Sequence, residues 1–420
     1  ITKIPVLFMT ATCTIKMHAQ LLTLTGLKKC SSNKNVFWPN AMSMMNTRVK
    51  MNVVYSTRPS ASFQGLVGSS LGKKSVDSFI FYANSRNMID RVCKRFGLCV
   101  DTEGYETDVL CLIGPMKKEE KFHITRLFCK TKVLKENDVD SGDDFNPRVL
   151  FATSGAANCG IDNAQVKGVF RAEIPPSLED CNQEKGRAGR RDSANFTTDF
   201  YTTCISLESV IVLLKRIYGS TNNKGKYQKS LLSDLDQVMN TIVIPSRCIL
   251  SALAMKSSNP YNSGVGSNMY FPPPCQFSCT YYRGDYSIIF LPIIREGICQ
   301  ILMDLYSGLH RISSEITFDP VLVQSIQEYP NANKLIFGKR SNKKPQPMTI
   351  KKLLLQLMAA KILCYSAKIT NENNNANSNG TGDGTNRKIE IIATLGFSNI
   401  HGRHEYNMNL DHYWSCIKLK

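Results

Sequence analysis

At 420 residues the chain has room for two or three domains with proper cores. Its formal charge of +18, from 52 Lys plus Arg against 34 Asp plus Glu, suits a polyanionic partner, although charge alone serves an acidic protein or a membrane surface equally well. The fifteen cysteines lack a disulfide-like spacing, which favours a reducing compartment, and no apolar run reaches the length of a membrane span.

The first residue is Ile1, with no charged segment or apolar core of a signal peptide behind it, so a fragment cut from a longer protein is expected. Ile4–Met9 is a short apolar strand ending at Thr10-Ala11-Thr12, common turn chemistry after a strand. A helix over Ile15–Leu22 and a strand over Val49–Tyr55 follow. Residues 57–77, rich in Ser, Gly and Lys, read as a loop insertion. Within them Gly68-Ser-Ser-Leu-Gly72-Lys73-Lys74 falls short of a phosphate-binding P-loop. It has three residues between its glycines, Lys74 where a Ser or Thr would bind Mg²⁺, and a strand after it rather than before.

Ser78–Ala83 is continuously apolar, the pattern of a strand buried on both faces. Asn84-Ser85-Arg86 follows, suited to capping a helix over Met88–Phe96. Val109–Ile113 predicts another strand, Gly114 a turn, Lys117–Phe128 an amphipathic helix, and Lys135–Asn146 an exposed acidic loop. Residues 149–162 (Val-Leu-Phe-Ala-Thr-Ser-Gly-Ala-Ala-Asn-Cys-Gly-Ile-Asp) run from a strand into a polar, glycine-bearing loop. A second strand over Val166–Phe170 ends at Ile174-Pro175-Pro176. Strands alternating with helices predict an α/β fold with a parallel sheet and flanking helices.

The next helix ends in Gln183-Glu-Lys-Gly186-Arg187-Ala-Gly189-Arg190-Arg191-Asp192. Guanidinium forks fit phosphate oxygens better than ammonium groups do. Two arginines three apart can face one phosphate while the glycines let the backbone turn tightly. A lone Arg-x-x-Arg reads as a solvated turn. Gln183 and Gly186, with Ala-Thr and Gly-Ile-Asp upstream, overturn that reading.

Residues 205–255 carry helical periodicity, followed by Cys248 and then Cys275-Gln-Phe-Ser-Cys279. Beyond residue 290 come helices and a basic, turn-rich segment containing Lys339 and Arg340. An apolar helix over Met348–Ala360 precedes paired strands over Lys361–Ile369 and Lys388–Leu395. Helices followed by a hairpin describe a winged helix. The basic segment suits a phosphate-binding face and, equally, a solvated charged loop.

Residues 149–192 resemble motifs V and VI of superfamily 2 helicases, and the Gln-x-x-Gly-Arg-Ala-Gly-Arg pattern is most similar to the RecQ family. DEAD-box RNA helicases usually read His-Arg-x-Gly-Arg-x-Gly-Arg there. The resemblance implies that residues 1–215 form the second RecA-like lobe, 216–290 a helical region like a degenerate zinc subdomain, and 291–420 a winged-helix (RQC-like) domain. By the same resemblance Gln183, Gly186 and Arg187 hold the ATP phosphates, and Arg190 is the arginine finger that stabilises charge in phosphoryl transfer. Gly160 and Asp162 fall near the nucleotide. Asn84, Ser85, Arg86 and Thr153 fall near the nucleic-acid backbone, as Lys339 and Arg340 do on the basic segment. Thr10 and Thr12 occupy the motif that couples hydrolysis to strand separation. Arg191 is an insertion that leaves the finger's register intact.

Structural zinc needs four ligands, and Cys248, Cys275 and Cys279 supply three, with Thr or Tyr at the last family position. A metal-free version of that subdomain is therefore preferred. The resemblance implies ATP and Mg²⁺, the metal held mainly by a first lobe, since neither a P-loop nor an Asp-Glu-x-His box occurs in these residues. Alone, the chain should not hydrolyse ATP at a useful rate. The expected function is the C-terminal part of an ATP-dependent 3′-to-5′ DNA helicase of repair and recombination, nuclear, or cytoplasmic in a prokaryote. The alternatives are a non-catalytic, helicase-derived nucleic-acid-binding module and a superfamily 2 RNA helicase, the latter disfavoured by the RecQ-type motif VI.

Overall fold

Six mainly apolar runs find one another in a parallel sheet, because strands buried on both faces need helices above and below them. The computed structural model describes residues 23–24, 49–71, 77–95, 109–129, 149–157, 161–190, 199–220, 225–243, 297–302, 304–305, 316–317, 320–337, 344–359, 361, 363–371 and 387–395. Their contacts divide into two compact units. One contains the described residues up to Val53 and those within Ser60–Thr203; the other contains Val54–Pro59 and the described residues from Cys204 to 243 and from 297 onward.

Around the parallel sheet the elements run in order β1 (Lys50–Tyr55), α1 (Pro59–Leu71), β2 (Ser78–Ala83), α2 (Arg86–Arg95), β3 (Val109–Leu112), α3 (Lys118–Cys129), β4 (Val149–Thr153), β5 (Val166–Arg171), α4 (Leu178–Lys185) and β6 (Phe200–Ile205). The strand order is β1-β6-β5-β2-β4-β3, with β2, β4, β5, β3 and β6 paired in parallel. At the β1 edge Lys50 N–H donates to Asp199 O (2.9 Å) and Ser56 N–H to Ile205 O (3.1 Å), an advance in step that is also parallel. Every residue of β2 is buried, as its unbroken apolar run requires.

Register stacks one aromatic layer across three strands. Phe81 of β2 lies beside Phe151 of β4 and Phe170 of β5, its ring stacked on Phe170 at 5.4 Å between centroids. Phe63 of α1 covers them, edge-on to Phe81 at 5.0 Å. Beside this layer Gly168 leaves room for the Phe200 ring, which a Cβ would meet at 2.3 Å.

Helix α1 corrects the sequence reading of 57–77 as a loop. Its Ser and Gly residues are weak helix formers, yet Phe63 is fully buried, and burial outweighs propensity differences of about 1 kcal/mol per residue. The P-loop-like Gly68 thus lies in a helix. Strand β6, absent from the expectation, closes over β5. The predicted strands at 49–55, 78–83, 109–113, 149–153 and 166–170 and the helices at 88–96 and 117–128 are present within two residues. The expected strand Ile4–Met9, helix Ile15–Leu22 and acidic loop Lys135–Asn146 lie outside the described residues.

The second unit contains α5 (Leu207–Gly219), α6 (Lys226–Val238) with a π-helical turn Met239–Val243, a helix over 297–302 (α7), β7 (Ile316–Thr317), α8 (Pro320–Glu328), α9 (Ala332–Phe337), α10 (Pro347–Ala359), β8 (Leu363–Asn371) and β9 (Arg387–Leu395). A reciprocal capping box between Ser206 and Ser209, at 3.1 Å in each direction, starts α5. The strands form an antiparallel sheet in the order β7-β9-β8. Helix α10 is buried along Leu353–Ala359. Its Lys351 pairs with Glu208, and the Lys352 ammonium stands 5.1 Å over the Tyr55 ring. Lys361 reaches the left-handed region (φ 60°), where its ammonium pairs with Asp236, which also accepts from the Tyr365 hydroxyl.

Candidate functional site

Arg171, Glu173, Glu184, Arg187 and Arg190 lie at or beyond the carboxyl ends of the parallel strands. Open α/β sheets bind ligands at those ends, where loops leave successive strands. Ser177 caps α4, its Oγ accepting from Asp180 N–H at 3.0 Å, with Glu179 and Asp180 in the first turn and Lys185 in the last, as the helix dipole favours. The helix ends at Gly186, whose N–H returns to Asn182 O (2.9 Å). Gly189 then takes φ 72°, open to glycine at no steric cost. This turn sets Arg187 and Arg190 toward one loop, that of residues 161–163.

The guanidinium of Arg187 donates to Ile161 O at 2.8 Å. Arg190 donates from Nε to Gly186 O at 2.9 Å and pairs through Nη1 with the exposed carboxylate of Asp162. Asp162 N–H donates to Cys129 Sγ (3.3 Å), while buried Asn163 donates to Phe128 O (2.7 Å) and accepts from Gln165 N–H (2.8 Å). The loop is therefore anchored to the end of α3. Gln183 and Gly186 are half-buried on the same turn.

Behind the arginines lies a charged network whose central pair, Arg171 and Glu184, is fully buried. Arg171, the last residue of β5, is fully buried. Its Nε donates to Glu173 O (3.2 Å), one Nη to the Glu184 carboxylate on α4 and the other to Asn84 Oδ1. Tyr201 Oη donates to the other Glu184 oxygen at 3.1 Å. Asn84 N–H donates to Glu173 Oε2 (2.6 Å) and its Nδ2 to Ile174 O (3.1 Å). Burial pushes the Glu184 carboxyl up to about 7, against the pull of Arg171. Burial likewise raises the Tyr82 phenol at the end of β2, with Arg187 and Arg171 opposing the shift.

Adjacent strand ends bring the other expected residues together. Thr153 is in register beside Ala83, so the β4 end sits next to the Asn84–Arg86 turn. Ser85 caps α2, its Oγ accepting from Met88 N–H at 3.3 Å, and exposed Arg86 lies 3.6 Å from Asp90. The Asn84 amide is spent on the buried network; Arg86 is the member of the trio that faces water. Thr10, Thr12, Gly160, Lys339, Arg340, Cys248, Cys275 and Cys279 lie outside the described residues.

Residues 63–192 match the helicase conserved C-terminal domain. The match covers under a third of the chain and takes in β2 to β5, α4 and both arginines. Over these residues the parallel sheet with flanking helices is a RecA-like helicase C-terminal lobe. No curated protein matches the chain. Among solved structures, S. cerevisiae Dbp5 bound to RNA and ADP BeF3 is similar at 14% identity over 55% of this chain and 47% of that one, with a TM-score of 0.34. Mss116p DEAD-box helicase domain 2 bound to an RNA duplex is similar at 15% identity over 50% and 77%, with a TM-score of 0.29. The E. coli DEAD-box protein SrmB bound to RraA is similar at 17% over 39% and 85%, with a TM-score of 0.27. The chain thus spans about half the length of Dbp5.

Arg171, Glu173, Glu184 and Tyr201 escaped the sequence reading of this helicase lobe. The available signal was an arginine closing the mainly apolar strand over Val166–Phe170, with Glu173 two residues and Glu184 thirteen residues after it. A charge at the end of a strand buried on both faces needs a partner.

Proposed function

We propose that the chain is the C-terminal part of a RecQ-like, ATP-dependent 3′-to-5′ DNA helicase. The observation that carries this reading is the convergence of Arg187 and Arg190 on the 161–163 loop at the carboxyl edge of the sheet. In this reading Arg190 exchanges Asp162 for the transferring phosphoryl group and stabilises its charge, while Arg187 and Gln183 hold the phosphates. The donors here are guanidinium, amide and backbone N–H groups, which fit phosphate oxygens. Mg²⁺ has its ligands in a partner lobe. DNA specificity and direction rest on the motif VI pattern Gln183 to Arg190.

One strand of DNA passes over the β2 and β4 ends, with Arg86 and Thr153 toward its backbone. Residues 291–420 are read as a winged helix. The order α7, β7, α8–α9, α10, β8–β9, with β7 paired to β9, supports that reading. Zinc has no part in it, since three cysteines do not complete a tetrahedral site.

The test is nucleic-acid-stimulated ATP hydrolysis by the full-length protein, with single-stranded DNA and RNA compared and Arg190→Ala alongside. A fall of about a thousandfold in the variant, with nucleotide binding retained, is the expected result. Stimulation by RNA alone would replace the DNA reading, and an inert wild type would leave a nucleic-acid-binding module.

A further inference from the structure

The arginine-bearing turn and the Asn84–Arg86 turn belong to different loops, yet one side chain holds both. Arg171 gives one Nη to Glu184, on the helix that leads into the turn bearing Arg187 and Arg190, and the other to Asn84, which opens the turn after β2. Its Nε takes Glu173 O, and Glu173 in turn accepts from Asn84 N–H at 2.6 Å. Tyr201 closes the far side of Glu184. Arg171 and Glu184 are both fully buried, so neither partner has water to turn to. If the Asn84 turn shifts, Arg171 must follow or leave a buried group unpaired, and Glu184 with α4 must follow Arg171.

We propose that Arg171 is a positioning residue that couples occupancy of the Asn84–Arg86 turn by a nucleic-acid strand to the placement of Arg187 and Arg190. The proposal rests on the helicase reading and adds to it a route by which the strand stimulates hydrolysis. The fork is essential, since a guanidinium serves three acceptors in one plane whereas an ammonium is a single point charge. A purely structural role would lower stability and leave the stimulation ratio alone.

The experiment compares the full-length wild type with Arg171→Lys, which keeps a cation for Glu184 without the fork. A second variant, Arg171→Met with Glu184→Leu, removes the buried pair together; such replacements are often neutral or stabilising, which guards against simple failure to fold. Measured are ATP hydrolysis with and without single-stranded DNA, DNA affinity, and melting temperature. Expected in both variants is DNA affinity kept and the ratio of DNA-stimulated to basal hydrolysis cut about tenfold, within the usual range of coupling between sites. Wild-type stimulation in either folded variant overturns the coupling. Arg190→Ala separates the two claims: if it leaves hydrolysis intact, the helicase reading fails and the coupling falls with it. If it abolishes hydrolysis while the Arg171 variants stay fully stimulated, only the coupling fails.

Discussion

Glu184 shows what a single buried carboxyl does to the lobe. Burial pushes it up to about 7 from an ordinary value of 4.5, with Arg171 pulling the other way. In the unfolded chain it titrates near its ordinary value. Between those two points the folded state holds a proton that the unfolded state has released, so this group's contribution to stability falls as pH rises through the window. Urea unfolding midpoints between pH 5 and 7.5 should therefore decline more steeply for the wild type than for Glu184→Gln. Parallel slopes would show that Glu184 does not carry the dependence. Arg187 and Arg190 were legible in the sequence because Gly186 and Gly189 frame them at a fixed spacing. Asp162 was expected at the same site, but its pairing with Arg190 was not legible. Nothing between Asp162 and Arg190 marks the distance that folding removes, and Asn163, which anchors the loop, reads like any polar turn residue.

At the scale of elements, helix α1 depends on one side chain more than on its composition. Phe63 touches Phe81, Phe151 and Phe170 at centroid distances of 5.0, 6.0 and 5.4 Å. Phe63→Ala should cost about 3–5 kcal/mol, visible as a lower urea midpoint, because the rings of three strands cannot all close over the void. A loss under about 1 kcal/mol would mean that α1 contributes little to the lobe. The sheet was readable because β2 and β4 announce themselves by unbroken apolar runs. Strand β6 was harder to see, since Phe200-Tyr-Thr-Thr-Cys-Ile205 mixes hydroxyl residues into a buried strand. Thr202 and Thr203 are fully buried there, Thr202 Oγ1 accepting from Asn52 (3.2 Å) and Thr203 Oγ1 donating to Glu173 O (3.4 Å). Helix α1 was hidden for the opposite reason, as a tertiary contact holds a segment whose residues favour turns.

For the molecule as a whole, charge sets the expected behaviour. On the proposed DNA reading, a net +18 makes binding dependent on counterion release, and neutralising about six phosphates of a single strand weakens affinity by roughly three hundredfold between 50 and 200 mM salt. Fluorescence anisotropy with a labelled single strand should give that slope, and Arg86→Ala should reduce it by about one unit. A flat salt response would mean that the surplus charge serves something other than phosphates.

The parallel sheet also dictates an order of events. Strand β1 is written before the other five, yet its neighbour is β6, with Asn52 bonding a residue 150 positions later. Parallel strands cannot be joined by tight hairpins, so each pairing waits for a crossover. At ordinary rates of synthesis β1 spends on the order of ten seconds without its partner. The growing chain must shelter an unpaired apolar strand over that interval, and the lobe closes only when Phe200–Ile205 emerges.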